Sequence, residues 1–327
     1  SNRDTEAAKR AEARIEQREV RSYEASHVGE LWHTDFHACS RPVVTRAGER
    51  VTPQLCAVCD DRSRLVCHAQ WYFAETAENL AHCLSQAFMK RGLPRALMTD
   101  RGKAMHATEV QNGLGRRGVT PQHTLEYSPY QNAKQEVLWV VVEARLMAQL
   151  EGVEVLTLDL LNEATIAFFE FDHNRKIHSE IKARPLDAFL AGPSVLRDCP
   201  DAEVLRQSFT REVARRQRTS DGTLTVEGVR YELPATYRHL RDVTVRYAAW
   251  DLSHVYLTDP RADVVLRRLL PLDKQANADG RRKWLHPGGA ASSAPLAMPP
   301  GLAPLLREHI EQLRATGLPT PFIPKDA

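Results

Sequence analysis

The sequence predicts an α/β protein in which a mixed five-stranded sheet flanked by helices is followed by a small all-β barrel and a C-terminal helical tail. Three observations predict it. Between Leu31 and Glu151, short strand-like runs and helical periods follow in the order βββαβαβα. Beyond about residue 208 the pattern is strand only, with tight turns at Asp221-Gly222 and Glu227-Gly228. After a stretch of Gly, Ala, Ser and Pro that begins at Asn277, helical spacing returns at Leu302.

Taken in order, residues 3–24 mix Arg, Lys and Glu with Ala and suit an exposed helix or lead-in rather than a core element. Leu31 to Cys39, Gln54 to Asp60 and Arg64 to Phe73 read as a three-strand meander, rich in aromatic, Val, Cys and Leu residues. Thr76 offers an N-cap for a helix over Ala77 to Arg91, where Leu80, Leu84, Ala87 and Phe88 recur at helical spacing; Gly92 closes it, with Pro94 beyond. Ala96 to Thr99 is a fourth strand ending at Asp100-Arg101-Gly102, a helical stretch runs to about Arg117, and Val119 to His123 is the fifth. Ser128 to Glu151 reads as a long helix entered through a Pro-containing turn, packed through Trp139, Val142 or Glu143, Leu146 and Leu150. Leu158 to Asn174 is a second long helix, and Gly192-Pro193 opens the boundary placed between about 192 and 208.

Six strands follow, at Glu212 to Arg218, Thr223 to Val226, Val229 to Leu233, Val243 to Tyr247, Val255 to Thr258 and Val264 to Leu269, a pattern that suits a small barrel. An amphipathic helix over about Leu302 to Thr316 ends before Gly317-Leu318-Pro319. The expected division is an N-terminal linker helix (1–29), an α/β core (30–192), a linker (193–207), the barrel (208–275), a flexible linker (276–300) and the C-terminal helix and tail (301–327).

With 44 Lys+Arg against 42 Asp+Glu the net charge is +2, which argues against a uniformly basic DNA-coating protein and leaves room for local basic surfaces. No apolar run approaches the roughly 20 residues that span a bilayer, and no leader peptide opens the chain, so no membrane partner and a cytoplasmic location are expected. The chain begins Ser-Asn rather than Met, which reads as a processed start with natural sequence before it. Six cysteines in 327 residues do not form a disulfide scaffold. His33, His37, Cys56 and Cys59 have the letters of a zinc set, but Cys56 and Cys59 stand an odd step apart in a strand and would point to opposite faces.

Three acids carry the chemistry. Asp35 sits mid-strand in Trp32-His33-Thr34-Asp35, where an unpaired buried charge would be costly; a solvent-facing edge position is the alternative. Asp100 ends a strand, where ligands gather in α/β sheets, although Asp before a Gly is also ordinary turn chemistry. Glu136 lies in the first turns of the long helix, with 35 residues between it and Asp100.

That order and spacing, with Thr99-Asp100-x-Gly102, Ser128-Pro129-Tyr130, Asn132, Lys134 and Glu136, and Asn174-Arg175 with His178 before Pro185, resembles the DDE catalytic core of retroviral integrases and bacterial insertion-sequence transposases, an RNase H-like fold. The stretch Arg211 to Asp273 is similar to the C-terminal barrel of phage Mu-type transposases. The resemblance implies a transposase that cleaves transposon ends and transfers the 3′-hydroxyl into target DNA, working as a homo-multimer that synapses two ends. It implies two Mg²⁺ ions, with Mn²⁺ as substitute, held by Asp35 bridging both and by Asp100 and Glu136 each completing one. Glu143, two turns beyond Glu136 on nearly the same face, is the rival third ligand; Lys134-x-Glu136 favours Glu136. The chain departs from many relatives at the basic Arg101-Gly102-Lys103 and in the apolar run Val137 to Val142. Two other classes stay open: a domesticated, non-catalytic DNA-binding protein, and an RNase H-like nuclease without strand transfer.

For DNA, the candidates are Lys134, Asn132, Arg101 and Arg175 near the acids, and Arg215, Arg216 and Arg218 leading into the barrel, with Arg281, Arg282 and Lys283 after it. For Lys134 a solvated helix lysine is an equal reading. The resemblance places the end-specific reader in a helix-turn-helix before this sequence, in a bacterial, nucleoid-associated setting. In Mu-like systems the transposase tail engages an AAA+ ATPase; for the C-terminal helix, packing on its own barrel is the alternative.

Overall fold

The computed structural model describes residues 24–100, 102–123, 133–248, 251–262, 264–273 and 297–317. The lead-in helix, Arg101, Ser128 to Asn132, most of the 276–300 linker with Arg281, Arg282 and Lys283, and the tail beyond Gly317 lie outside the described residues.

The first sheet contains β1 (Leu31–Ala38), β4 (Gln54–Asp60), β5 (Val66–Tyr72), β6 (Ala96–Thr99) and β7 (Thr120–His123), in the order β5-β4-β1-β6-β7. A small hairpin, β2 (Val43–Val44) with β3 (Arg50–Val51), interrupts the meander and was not foreseen. β4 is antiparallel to β1 and β5, whereas β6 and β7 run parallel to β1, giving the mixed sheet of an RNase H-like core.

Alternation along β4 divides the interior. Cys56 and Val58 face one core with Trp32, Leu80, Leu84 and Phe88, covered by α1 (Ala77–Arg91) and α2 (Thr108–Arg116). Leu55 and Ala57 face the other, covered by α3 (Ala133–Val141) and α4 (Leu158–Phe171). Cys59 packs against this second core, so Cys56 and Cys59 do lie on opposite faces. α1 starts where its cap is, with the Thr76 hydroxyl accepting the Asn79 N–H at 3.1 Å, and stops at Gly92, whose φ of 89° disfavours a side chain.

β5 is an edge strand, yet every residue in it is buried. Two asparagines explain this. Asn162 accepts the Trp71 N–H at 2.7 Å and donates to the Trp71 carbonyl at 3.1 Å, and Asn174 does the same for Val66 at 3.0 and 3.1 Å. Each amide replaces a missing strand and closes the exposed edge.

α3 continues as a π-helix over Val142–Met147. The wider turn accounts for the ambiguous spacing after Trp139, because it buries Val142 completely while leaving Glu143 half-buried towards β1.

The boundary segment is firmly attached. Val28 bridges Ser194, Leu93 bridges Arg197, α5 (Pro185–Ala191) precedes it, and α6 (Ala202–Ser208) lies inside the stretch expected as linker. Leu205 and Phe209 enter the first core, and Phe209 lies against Gly113 of α2 so closely that a Cβ there would sit 2.2 Å from its ring.

The second sheet is a nearly closed six-stranded antiparallel barrel: β8 (Arg211–Arg216), β9 (Thr223–Val226), β10 (Val229–Glu232), β11 (Asp242–Ala248), β12 (Asp251–Asp259) and β13 (Val264–Pro271), ordered β8-β11-β12-β13-β10-β9. The seam between β8 and β9 is drawn together by the Arg218–Thr223 bridge and by Arg215 Nε on the Thr225 carbonyl at 3.1 Å. Leu224, Tyr231, Val245, Tyr247, Val255 and Leu269 fill the interior.

The last helix, α7 (Pro304–Ala315), packs on α4 of the α/β core rather than on the barrel: Leu302, Leu306 and Ile310 are buried in the second core. No helix among the described residues is long and apolar enough to cross a membrane.

Candidate active site

The parallel register sets the first two acids side by side. Leu31, Trp32, His33 and Thr34 of β1 pair with Ala96, Leu97, Met98 and Thr99 of β6, so Asp35 and Asp100 are each the next residue after the last pair on neighbouring strands, which lie about 4.8 Å apart. Both are half-buried. Asp35 Oδ1 accepts the N–H of Phe36 at 2.8 Å, and Asp100 Oδ1 accepts the N–H of Gly102 at 2.9 Å.

β5 and β7 run in the same direction as β1, so the residues after them reach the same end of the sheet. Glu75, three residues past β5, converges with Asp100 on Gly102: a Cβ at Gly102 would lie 2.9 Å from Glu75 Oε1 and 3.0 Å from Asp100 Oδ1. Burial and the Asp100 charge push the Glu75 carboxyl upward. His123 ends β7 opposite Thr99, whose hydroxyl lies 3.1 Å from His123 Nδ1, and the His106 ring lies against His123, centroids 4.5 Å apart and planes tilted by 36°. Glu75, His106 and His123 were not singled out from the sequence. Only strand direction brings Glu75 and His123 to the end of the sheet where Asp100 stands.

α3 lies along the face of β1 that carries His33, Asp35 and His37. Trp139 stacks on His37, centroids 5.0 Å apart and planes 9° from parallel. Glu143 Oε1 takes His37 Nε2 at 3.2 Å and the Ser40 N–H at 3.3 Å. Glu143 is therefore engaged by His37, two residues beyond Asp35 on the same face of β1, and by the Ser40 N–H. Glu136 stands exposed in the first turn of α3, and the described contacts do not join it to Asp35 or Asp100. Among the described residues no three His, Cys, Asp or Glu side chains gather closely enough to hold an ion.

Lys134 does not project into solvent. Its Nζ lies 2.5 Å from Asp61 Oδ1, and Asp61 is 0% exposed. Burial alone would raise the Asp61 carboxyl, but His33 and Lys134 outweigh it and hold it well below the usual carboxylate range. Arg175 Nε donates to the Glu170 carbonyl at 2.8 Å, and its guanidinium lies over the Phe171 ring, capping the end of α4. Arg216 and Arg218 are exposed on the barrel, while Arg215 is turned along the seam. Asn132 and Arg101 lie outside the described residues.

Residues 25–129 match the model of the Integrase core domain family, a span that includes Asp35 and Asp100 and ends before Glu136. No curated protein matches the chain. Among solved structures, the chain is similar to the simian T-cell lymphotropic virus intasome in complex with PP2A regulatory subunit B56 gamma (13% identity, 77% of this chain and 82% of that one, TM-score 0.46). It is also similar to the catalytic core domain of BIV integrase (21% identity, 50% and 95%, TM-score 0.39). A third is the HTLV-2 integrase catalytic core domain in complex with magnesium (17% identity, 51% and 98%, TM-score 0.39).

Proposed function

We propose that the chain is a DDE polynucleotidyl transferase, a DNA transposase or integrase that cleaves at transposon ends and joins the freed 3′-hydroxyl to target DNA. The observation that carries this reading is the placement of Asp35 and Asp100 side by side on adjacent parallel strands, each the next residue after the last β1–β6 pair, inside the segment that matches the integrase core family.

The donor set suits Mg²⁺ in kind: Asp35, Asp100 and Glu136 offer hard carboxylate oxygens, and the convergence of Glu75 with Asp100 concentrates negative charge where cations would be attracted. When bound, two Mg²⁺ ions, or Mn²⁺ in their place, would activate the attacking oxygen and stabilise the leaving one. In this reading Asp35, Asp100 and Glu136 would hold the ions between them. The Asp35 and Asp100 carboxylates start with one oxygen each hydrogen-bonded to a backbone N–H, which fixes their orientation before any ligand arrives.

DNA would meet the protein through its backbone along the exposed Arg216 and Arg218 of the barrel, with Arg101 and Asn132, close in sequence to Asp100 and Glu136, as further candidates. Lys134 and Arg175 already serve internal contacts, and the apolar side of α7 is spent on the core. An AAA+ ATPase would therefore have to engage the exposed side of α7 or the residues after it. The active form is proposed to be a multimer bringing two DNA ends together, in a bacterial cytoplasm.

The decisive experiment incubates the full chain with candidate end duplexes, Mg²⁺ or Mn²⁺ and a plasmid target. Joined products that vanish in Asp35→Asn while DNA binding persists support the transferase. Cleaved ends with no joined product would instead indicate a nuclease. DNA binding without either product would indicate a non-catalytic relative.

A further inference from the structure

Lys134, Asp61 and His33 meet at one buried oxygen. Asp61 Oδ1 lies 2.5 Å from Lys134 Nζ and 2.7 Å from His33 Nε2, while Asp61 Oδ2 accepts the Ala25 N–H at 2.7 Å. Arg64 stands 3.8 Å from the same Oδ1 and is held from outside by Glu180, at 3.1 Å from Nε and 2.9 Å from an Nη. Asp61 follows β4, His33 lies on β1, and Lys134 is in the first turn of α3, so one carboxylate ties three elements together.

The two basic arms have a further property. His33 precedes Asp35 by two residues and, in a strand, projects from the same face. Lys134 precedes Glu136 by two residues, about 3 Å of rise along the helix axis. The helix is pinned again beyond Glu136, where Trp139 stacks on His37 and Glu143 bonds it. Glu136 is thus bracketed by two attachments of α3 to the strand that carries Asp35.

Resting on the reading of Asp35 and Glu136 given above, we propose that Asp61 is a positioning residue that acts through Lys134 to hold the first turn of α3 on β1, fixing where Glu136 stands along the strand that carries Asp35. Lys134 is in this role an internal strut, and its charge is consumed by Asp61 rather than by DNA. A buried carboxylate suits the task because its partners cannot exchange it for water without leaving an uncompensated charge.

The test uses the full chain without metal and reads amide hydrogen exchange over residues 133–141. Lys134→Met should speed exchange there about tenfold or more, while α1 and α4 keep their protection. Lys134→Arg should restore it. Mg²⁺-dependent cleavage should fall in Lys134→Met and recover in Lys134→Arg, and Asp61→Asn should reproduce the Lys134→Met pattern, with the double variant no worse than either single one. If Asp61→Asn fails to fold, the Lys134 pair decides alone. Unchanged exchange at 133–141 in Lys134→Met overturns the proposal, as does a Lys134→Met defect confined to DNA affinity with a shallower salt dependence, which would make Lys134 a phosphate contact. Asp35→Asn separates the two readings: it should abolish cleavage and leave exchange at 133–141 as in wild type, and persistent cleavage in it would remove the enzymatic reading whatever the strut does.

Discussion

Arg314 grips Glu163 with both ends of its guanidinium, Nε on Oε1 at 2.5 Å and an Nη on Oε2 at 2.8 Å, across 151 residues of sequence. Glu163 is 5% exposed, so the pair is a charge-assisted fork at the edge of a dry interface in which Leu306 and Ile310 are 0% exposed. The last helix is part of the core it packs on, and this has a measurable consequence. Leu306→Ala or Ile310→Ala should each lower unfolding free energy by about 2–5 kcal/mol, the range for emptying such a site. Deleting 297–317 should shift the denaturant midpoint of the α/β core itself, and an unshifted midpoint would mean the helix is an appendage.

The edge of β5 gives a second expectation. Asn162 and Asn174 each pair with both the N–H and the carbonyl of one strand residue, so replacement by Ala leaves two buried backbone groups without partners. Asn174→Ala should cost about 1–3 kcal/mol by chemical denaturation, and Asn162→Ala a similar amount. Asn174→Asp should not rescue, since a carboxylate cannot donate to the Val66 carbonyl.

At the acids, Gly102 is the most sensitive backbone position. A methyl group there would press on Glu75 Oε1 and Asp100 Oδ1 together, so Gly102→Ala must displace the Asp100 carboxylate or the side chain of Glu75. Metal-dependent cleavage should drop by about tenfold or more with the melting temperature nearly unchanged, because a misplacement of about 1 Å suffices. Wild-type activity in Gly102→Ala would show that Asp100 does not need its present orientation.

Acid should weaken the fold before it touches the carboxylates. Burial lowers His82 and His173 to about 4, and burial with the nearby Lys90 charge holds His68 well below its ordinary value. These rings are neutral when folded and take up protons on unfolding, so their contribution is complete above the ordinary histidine value near 6.5 and is lost as pH falls from there towards 4. Unfolding free energy measured in urea should therefore decrease steadily from pH 7 to pH 4.5. A flat profile over that window would contradict the neutral, buried state of these rings.

Much of this architecture was legible before any coordinates. Thr76 and Gly92 bounded α1, the strands Gln54–Asp60, Ala96–Thr99 and Thr223–Val226 stand where alternation and turn residues put them, and Asp35 falls mid-strand and Asp100 at a strand's end. Caps, turns and periodicity are local properties, written within a few residues of where they act. The β2–β3 hairpin and α6 escaped notice because each is too short to carry a period.

What the amino-acid order determined by itself is the succession of elements, with Asp35 inside one strand and Asp100 at the end of another. Only the tertiary structure decided which charges are used up internally. Lys134 and Asp61 stand 73 residues apart, Arg314 and Glu163 stand 151 apart, and nothing near either member of a pair announces the other. The docking of α7 on α4 belongs to the same category. A buried charge must find its partner wherever the chain brings one, and that is settled by packing across the whole fold rather than by any stretch of sequence.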